Sequence, residues 1–340
     1  MTAIAITAPG GPEVLQAVAV ATPQPGPGDV LIRVAAAGIN YPDLAQRRGK
    51  YDPPSWHSPH PGLEVSGEIA ALGEGVSSFV LGDRVLALCN GGGYADYVTV
   101  PAGQVLPVPH GVALIQAGAM AETWFTVQQT LVMRAGLLPG MNVLIHGAAG
   151  GIGNAAIALS LIHGARPIAV VSTTDKADYA KQLGAADTIL HTSEDFVARA
   201  QQLTDGKGAD RIVALAGGDM LPRNMAAAAR FATIVQLATL GDANADIPLG
   251  LLLGRALTLI GSTLRPQSNA TKTAIAQGLL ETAWPAFAAG QVKLPRLRTL
   301  PLREAAAAHQ AMEERDSYGK IALVTAFGQA FLNDKSVAPR

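Results

Sequence analysis

The residues with the clearest chemical potential form one contiguous string, Val143-Leu-Ile-His-Gly147-Ala-Ala-Gly150-Gly151-Ile152-Gly153. An apolar strand runs there into a glycine-rich turn that opens a helix. Glycines remove the Cβ atoms that would hold a pyrophosphate away from the backbone. The helix N-terminus adds unpaired N–H groups and a partial positive charge. Gly147, Ala148, Gly150, Gly151 and Ile152 are therefore candidate phosphate contacts. The spacing departs from Gly-x-Gly-x-x-Gly because Ala148 fills the slot of the second glycine. A strand-to-helix turn without a ligand uses the same residues, so the flanking elements must carry the reading.

The next apolar strand ends at Ser172, about twenty residues beyond the turn, where an NAD site places Asp or Glu against the ribose hydroxyls. Here the chain reads Ser172-Thr173-Thr174-Asp175-Lys176. Hydroxyls and an ammonium suit a 2′-phosphate, which a carboxylate at that point would repel. The string predicts NADPH over NADH, with Ser172, Thr173 and Lys176 as contacts. Helix capping by Ser172 or Thr174 is the competing use of these residues, and Asp175 adds some repulsion.

Two kinds of element must position these groups. The first third carries short β-type runs punctuated by Gly and Pro, at 3–7, 30–36, 65–72, 84–88 and 94–100. From about Glu122, apolar strands at 143–146, 167–172, 187–190, 211–215, 233–237 and 257–261 alternate with helices expected at 153–163, 176–183, 194–203 and 220–231. That alternation predicts βαβ units and a doubly wound parallel sheet. A helix at 271–288, a strand at 296–300, a helix at 302–315 and a strand at 320–325 break the repeat and predict a return to the first domain. The expected division is a β domain over 1–121 completed by 271–325, a nucleotide domain over 122–270, and a loosely ordered tail over 326–340.

Composition narrows the classes. Lys and Arg number 25 against 26 Asp and Glu, so the net charge of -1 lacks the phosphate electrostatics of a dedicated nucleic-acid binder. Charged residues are only 15% and hydrophobic ones 49%, which excludes a disordered chain. Cys89 is the only cysteine, so no intramolecular disulfide or Cys-based zinc site can form, and a cytoplasmic setting is expected. The apolar stretch 247–261 is interrupted by Arg255 and is too short for a membrane span of about 20 residues, so no membrane is expected as a partner.

Several strings then converge: Gly10-Gly-Pro-Glu-Val-Leu-Gln16, Ala37-Gly-Ile-Asn40-Tyr-Pro-Asp43, Gly49-Lys-Tyr51-Asp-Pro-Pro54, Gly82-Asp-Arg-Val85 and Gly91-Gly-Gly-Tyr-Ala-Asp-Tyr-Val98. With the glycine turn they resemble the zeta-crystallin-like quinone oxidoreductases of the medium-chain dehydrogenase/reductase superfamily. The resemblance runs in order to about Thr325. It implies a GroES-like β domain, a Rossmann domain, NADPH, a quinone substrate and a homodimer or larger homo-oligomer. In the superfamily's zinc enzymes a catalytic Cys stands where this chain has Asn40, and a His where it has Leu63. An amide and an alkyl chain cannot replace thiolate and imidazole, so metal-free catalysis is expected. His57, His60 and His146 lack a placed carboxylate or thiolate, and the Pro-rich setting of His57 predicts a surface loop.

The same resemblance implies that Asn40, Tyr51 and Thr126 line the site. Asn40 would donate a hydrogen bond to the quinone or orient its ring. Thr126 would fix the carboxamide of the coenzyme, and Tyr51 would donate a hydrogen bond or serve as a wall. An αL turn residue at Asn40 and a helix hydroxyl at Thr126 are the plain alternatives. His191, Ala216, Ala238, Thr239 and Arg315 are the remaining cofactor positions implied. Reduction of an activated alkene is the second enzymatic expectation. A non-catalytic, crystallin-like or RNA-associated NADPH binder is the third.

Overall fold

The computed structural model describes residues 1–314 and 318–332. The chain divides into two compact units, one of Met1–Phe125, Arg265–Gly290 and the chain from Arg296 onward, the other of Thr126–Leu264 and Gln291–Pro295. The first begins with an antiparallel pair, β1 (Thr2–Ile6) and β2 (Leu15–Ala19). It continues through β3 (Asp29–Gly38), α1 (Tyr41–Arg47), β4 (Glu64–Leu72), β5 (Arg84–Leu88), β6 (Tyr97–Pro101), β7 (Val105–Pro107), α2 (Leu114–Ala117) and α3 (Ala121–Val127). Helix α1 follows the pattern of Pro near its first turn and an acid at its third position, neither of which a reading of short β runs registers.

The second unit is an open parallel sheet. Its elements are β8 (Asn142–His146), α4 (Gly151–Ile162), β9 (Arg166–Val171), α5 (Thr174–Gln182), β10 (Asp187–Leu190), α6 (Phe196–Leu203), β11 (Ala209–Ala214), α7 (Met220–Ala227), β12 (Ala228–Gln236), α8 (Leu249–Arg255) and β13 (Thr258–Gly261). The strand order β10-β9-β8-β11-β12-β13 reverses between β8 and β11, which makes the carboxyl ends of those strands the switch point where doubly wound folds bind ligands. Strand β9 is buried along almost its whole length because helices cover both faces. Leu144, Ile168, Ile189, Ile212, Ile234 and Phe196 form its core.

One expectation here needs correction. The helix expected over 220–231 ends at Ala227: Ala226 to Ala229 favour a helix by propensity, but Ala228 pairs with Ala209 and the chain continues as β12, with Phe231 exposed at φ +63°. Within the apolar 247–261 stretch a short helix, α8, precedes the strand.

The return to the first unit is made by α9 (Asn269–Ala288), β14 (Leu297–Pro301), α10 (Ala305–Glu313) and β15 (Lys320–Val324). Its sheet runs β14-β15-β3-β4-β5-β7, with β6 also paired to β3. The units part at Phe125 and Arg265, against expected boundaries at 121 and 271. The packing explains this: Trp124 stacks on Phe287 at 5.2 Å, Trp284 Nε1 donates to Pro107 O at 3.0 Å, and Lys272 Nζ reaches Asn90. Residues 326–332 are not a loose tail, since Gly328 N donates to Thr325 Oγ1 at 3.0 Å and Arg33 lies 4.2 Å over the Phe327 ring. Residues 333–340 lie outside the described residues.

Candidate functional site

The glycine turn has the geometry its sequence requires. Gly147 sits at φ +61°, and Gly150 N closes the turn on Gly147 O at 2.9 Å. A Cβ on Gly153 would stand 2.3 Å from Ala148 Cα, so α4 approaches the turn as closely as backbone allows. The N–H groups of Gly151, Ile152 and Gly153 have no intrahelical acceptor and are free for an anion. Ala148 has no accessible surface and packs directly against Gly153 beneath the turn.

Around the end of β9, Thr173 caps α5 by accepting from Lys176 N at 3.3 Å, and Lys176 Nζ reaches Ser172 Oγ at 3.3 Å. The cap and the hydroxyl–ammonium group therefore coexist. Thr192 Oγ1 donates to Ser172 O at 3.0 Å, which brings the exposed His191 loop beside Ser172. Ala216 and Ala238 are joined by a residue that sequence reasoning missed: Gln236 Nε2 donates to both carbonyls, at 3.0 and 2.5 Å. Thr239 follows at an exposed position of the same loop. Thr126 lies in α3, and its carbonyl accepts from Thr130 Oγ1 at 2.6 Å. Arg315 lies outside the described residues.

In the first unit, β3 ends at Gly38 and delivers Asn40 to the start of α1. Asn40 is extended (φ −133°, ψ 157°), not the αL residue of the plain alternative. Its backbone N–H donates to Asp43 Oδ2 at 2.9 Å, while its side chain turns away from the helix it precedes. Nδ2 donates to Glu64 Oε1 at 2.7 Å and Oδ1 accepts from Lys320 Nζ at 2.6 Å. Lys320 also donates to Glu64 Oε1 at 2.8 Å, and Glu64 Oε2 accepts from Glu122 N at 2.9 Å. Glu64 is wholly buried, and a Cβ on Gly38 would sit 2.1 Å from its carboxylate, so glycine is needed there. The Asn40 amide is thereby fixed in one orientation, with one N–H of Nδ2 left to donate.

A second shell of charge surrounds this core. Asp43 accepts from Gly62 N at 3.0 Å; burial raises its carboxyl to about 6, against the opposing hydrogen bonds of Gly62, Asn40 and Tyr94. Burial, with Glu64 and Asp43 adding to it, pushes Glu122 up to about 8. Lys272 falls to about 8 through burial. Tyr51 is also raised by burial, so it keeps its proton at neutral pH. Arg265 lies 5.6 Å over the Tyr51 ring, and its Nη1 donates to Gln46 Oε1 at 2.7 Å. His57 lies in a loop whose neighbours Ser55 and Trp56 are exposed, as expected, but its own side chain is buried beside these cations, and burial lowers it to about 4. Burial raises the Cys89 thiol, leaving it inert.

This donor set does not fit zinc. Leu63 is buried and apolar, and both oxygens of Glu64 are occupied by N–H donors, one of them an ammonium. Among the described residues no three His, Cys, Asp or Glu side chains converge as metal ligands.

Residues 26–110 match the alcohol dehydrogenase GroES-like domain family, and residues 151–278 match the zinc-binding dehydrogenase family. A probable quinone oxidoreductase of Schizosaccharomyces pombe is 30% identical over 322 residues, which are 94% of this chain and 96% of that protein. The chain belongs to the quinone oxidoreductase-like, zinc-independent medium-chain dehydrogenases/reductases. This dehydrogenase/reductase shares its architecture with the Escherichia coli quinone oxidoreductase complexed with NADPH (TM-score 0.83, 29% identity, 95% of this chain and 100% of that one). It is similar to a 2-haloacrylate reductase as well (TM-score 0.80, 29% identity, 95% of this chain and 99% of that one). The medium-chain dehydrogenase/reductase fold therefore joins the turn at Gly147–Gly153, which fits a dinucleotide pyrophosphate, to a GroES-like unit that holds the Asn40 cluster. No helix among the described residues is long and apolar enough to cross a membrane.

Four members of that cluster, Glu64, Glu122, Arg265 and Lys320, were not among the residues expected from the sequence. Glu64 adjoins Leu63 and was within reach of a motif reading. Arg265 and Lys320 carry no local signal.

Proposed function

We propose that the protein is an NADPH-dependent reductase of small, planar, electron-poor quinones, working without zinc. The observation that carries this reading is the Asn40–Glu64–Lys320 network, which holds a buried amide donor where alcohol-oxidising relatives have a thiolate ligand. When bound, the coenzyme supplies a hydride. The protein's part is to stabilise the negative charge that hydride transfer leaves on the acceptor oxygen and to return a proton. The remaining N–H of Asn40 and the Tyr51 hydroxyl are fixed donors for that charge. Glu122, raised to about 8, holds a proton at neutral pH within the same cluster and is the candidate acid. Lys176 with Ser172 and Thr173 supports NADPH over NADH, because their donors suit a 2′-phosphate.

A second reading, reduction of an activated alkene, draws on the protonated Glu122 beside Tyr51, since such a reduction needs an acid near the carbon that does not receive hydride. The likeness to a 2-haloacrylate reductase also favours it. Loss of nicotinamide absorbance with a benzoquinone, and separately with a 2-enoyl thioester, tests the two. Faster turnover of the quinone is expected, and a preference of more than about tenfold for the thioester would replace the first reading with the second. Failure to oxidise NADPH with either would end both.

A further inference from the structure

Arg265 is 4% exposed, and its guanidinium is held on one side only. Nη1 is tied to Gln46 Oε1, while Nε and Nη2 are buried without any partner. Those two nitrogens share one edge of the guanidinium plane, the edge whose parallel N–H bonds match the two oxygens of a carboxylate. Buried donors almost always find acceptors, and an unpaired charged pair of them is the mark of a site whose partner comes from outside. No carboxylate of the described residues lies within ion-pair distance of Arg265, although Asp43 and Glu122 are near enough to act on it through space.

The surroundings hold that edge in place. Lys272 Nζ donates to Arg265 O at 3.0 Å and to Asn90 Oδ1 at 2.7 Å, which fixes the backbone from which the side chain springs. The Tyr51 ring covers the guanidinium face. At Gly91, with φ +83°, a Cβ would come within 3.1 Å of Nη2 and 2.7 Å of Ser58 O, so only glycine fits against that side of the guanidinium. The local charge balance also suits an anion. Glu64 is paired with Lys320, and Glu122, at about 8, is largely neutral at pH 7. Asp43 then acts on Arg265, beside which Lys272 stands as a second cation.

We propose that the Nε–Nη2 edge of Arg265 recognises a carboxylate on the substrate, so that the preferred acceptor is an electron-poor quinone or alkene that also carries an acid group. This rests on the reductase reading above and adds the substrate class to it. The bidentate contact places the acceptor through its acid end, beside the Asn40 amide and Tyr51.

The test compares acceptors that differ only in that group: monomethyl against dimethyl fumarate, and a benzoquinone bearing an acetate side chain against its methyl ester, each with NADPH. The wild type is expected to favour the acid of each pair in kcat/KM by at least about tenfold, and Arg265→Gln to lower the acid-to-ester ratio by about the same factor, to near one. Arg265→Lys keeps the charge without the fork and is expected to recover only part of the ratio. An unchanged ratio in Arg265→Gln overturns the proposal. So does a rise confined to the KM for NADPH, which would assign the guanidinium to the coenzyme. Should the wild type reduce none of these acceptors, the reductase reading fails by itself, and calorimetry with monomethyl succinate, which cannot be reduced, still decides the site. Binding lost in Arg265→Gln supports it; equal binding by both proteins overturns it.

Discussion

At Gly147–Gly153 the chain offers backbone N–H groups within a single turn of sequence, whereas around Asn40 it offers side chains drawn from the start of α1, from β4, from α3 and from β15. The first site depends on missing atoms. Any side chain at Gly153 would collide with Ala148, and the donors belong to the main chain whatever the residues around them. The second depends on atoms being present, because the ammonium of Lys320 and the carboxylate of Glu64 are stable in the interior only in each other's company. A backbone site should therefore fail by crowding and a side-chain site by exposing an unpaired charge.

Gly153→Val is the harshest probe of the first half of that contrast. Its Cβ has only backbone atoms to displace, so the second unit is expected to lose about 5 kcal/mol or to fail to fold, seen as lost NADPH binding and a lowered Tm. Lys320→Met probes the other half. It leaves Glu64 buried and uncompensated, at an expected 3–5 kcal/mol in urea unfolding, and adding Glu64→Gln should recover part of that loss. If the double variant is no more stable than Lys320→Met, the ion pair is not what holds the cluster together.

The Glu122 carboxyl sharpens the comparison through pH. Its folded value of about 8 lies above the ordinary 4.5, so the native state holds a proton that the unfolded chain has released between those values. Stability from this group is therefore full below the lower value and is lost as pH rises through the upper one. Glu122→Gln should remove that decline, with the variant gaining on the parent from about pH 4.5 to about pH 8, by on the order of 3 kcal/mol at the upper end. A constant difference across that range would mean that the carboxyl titrates normally. The smallest effect is expected at the surface of the backbone site. Lys176→Ala should raise the KM for NADPH about tenfold, roughly 1.4 kcal/mol, with little change for NADH. Equal changes would remove Lys176 from the 2′-phosphate.

Much of the second unit was legible because its signals are local. Apolar runs such as 143–146 and 187–190 coincide with β8 and β10, and Gly147 and Gly150 mark the turn without reference to any other part of the chain. The misread end of α7 shows the limit. Four successive alanines favour a helix, and only the pairing of Ala228 with Ala209 overrode that local preference. Ala148 is a similar case, since its place beneath Gly153 is a matter of packing and not of spacing. In the first unit, Asn40 and Tyr51 stood out beside known strings, yet neither predicts the hydrogen bonds that orient them.

The two-part architecture, the glycine turn at Gly147–Gly153 and the absence of a thiolate and an imidazole at Asn40 and Leu63 were written in short stretches of chain, because each follows from which atoms those stretches contain. Folding was needed to bring Lys320 onto the Asn40 amide, to raise the Glu122 carboxyl and to leave one edge of Arg265 without a partner. Those outcomes depend on burial and on distances between residues far apart along the chain, and both are properties of the packed interior that no local spacing encodes.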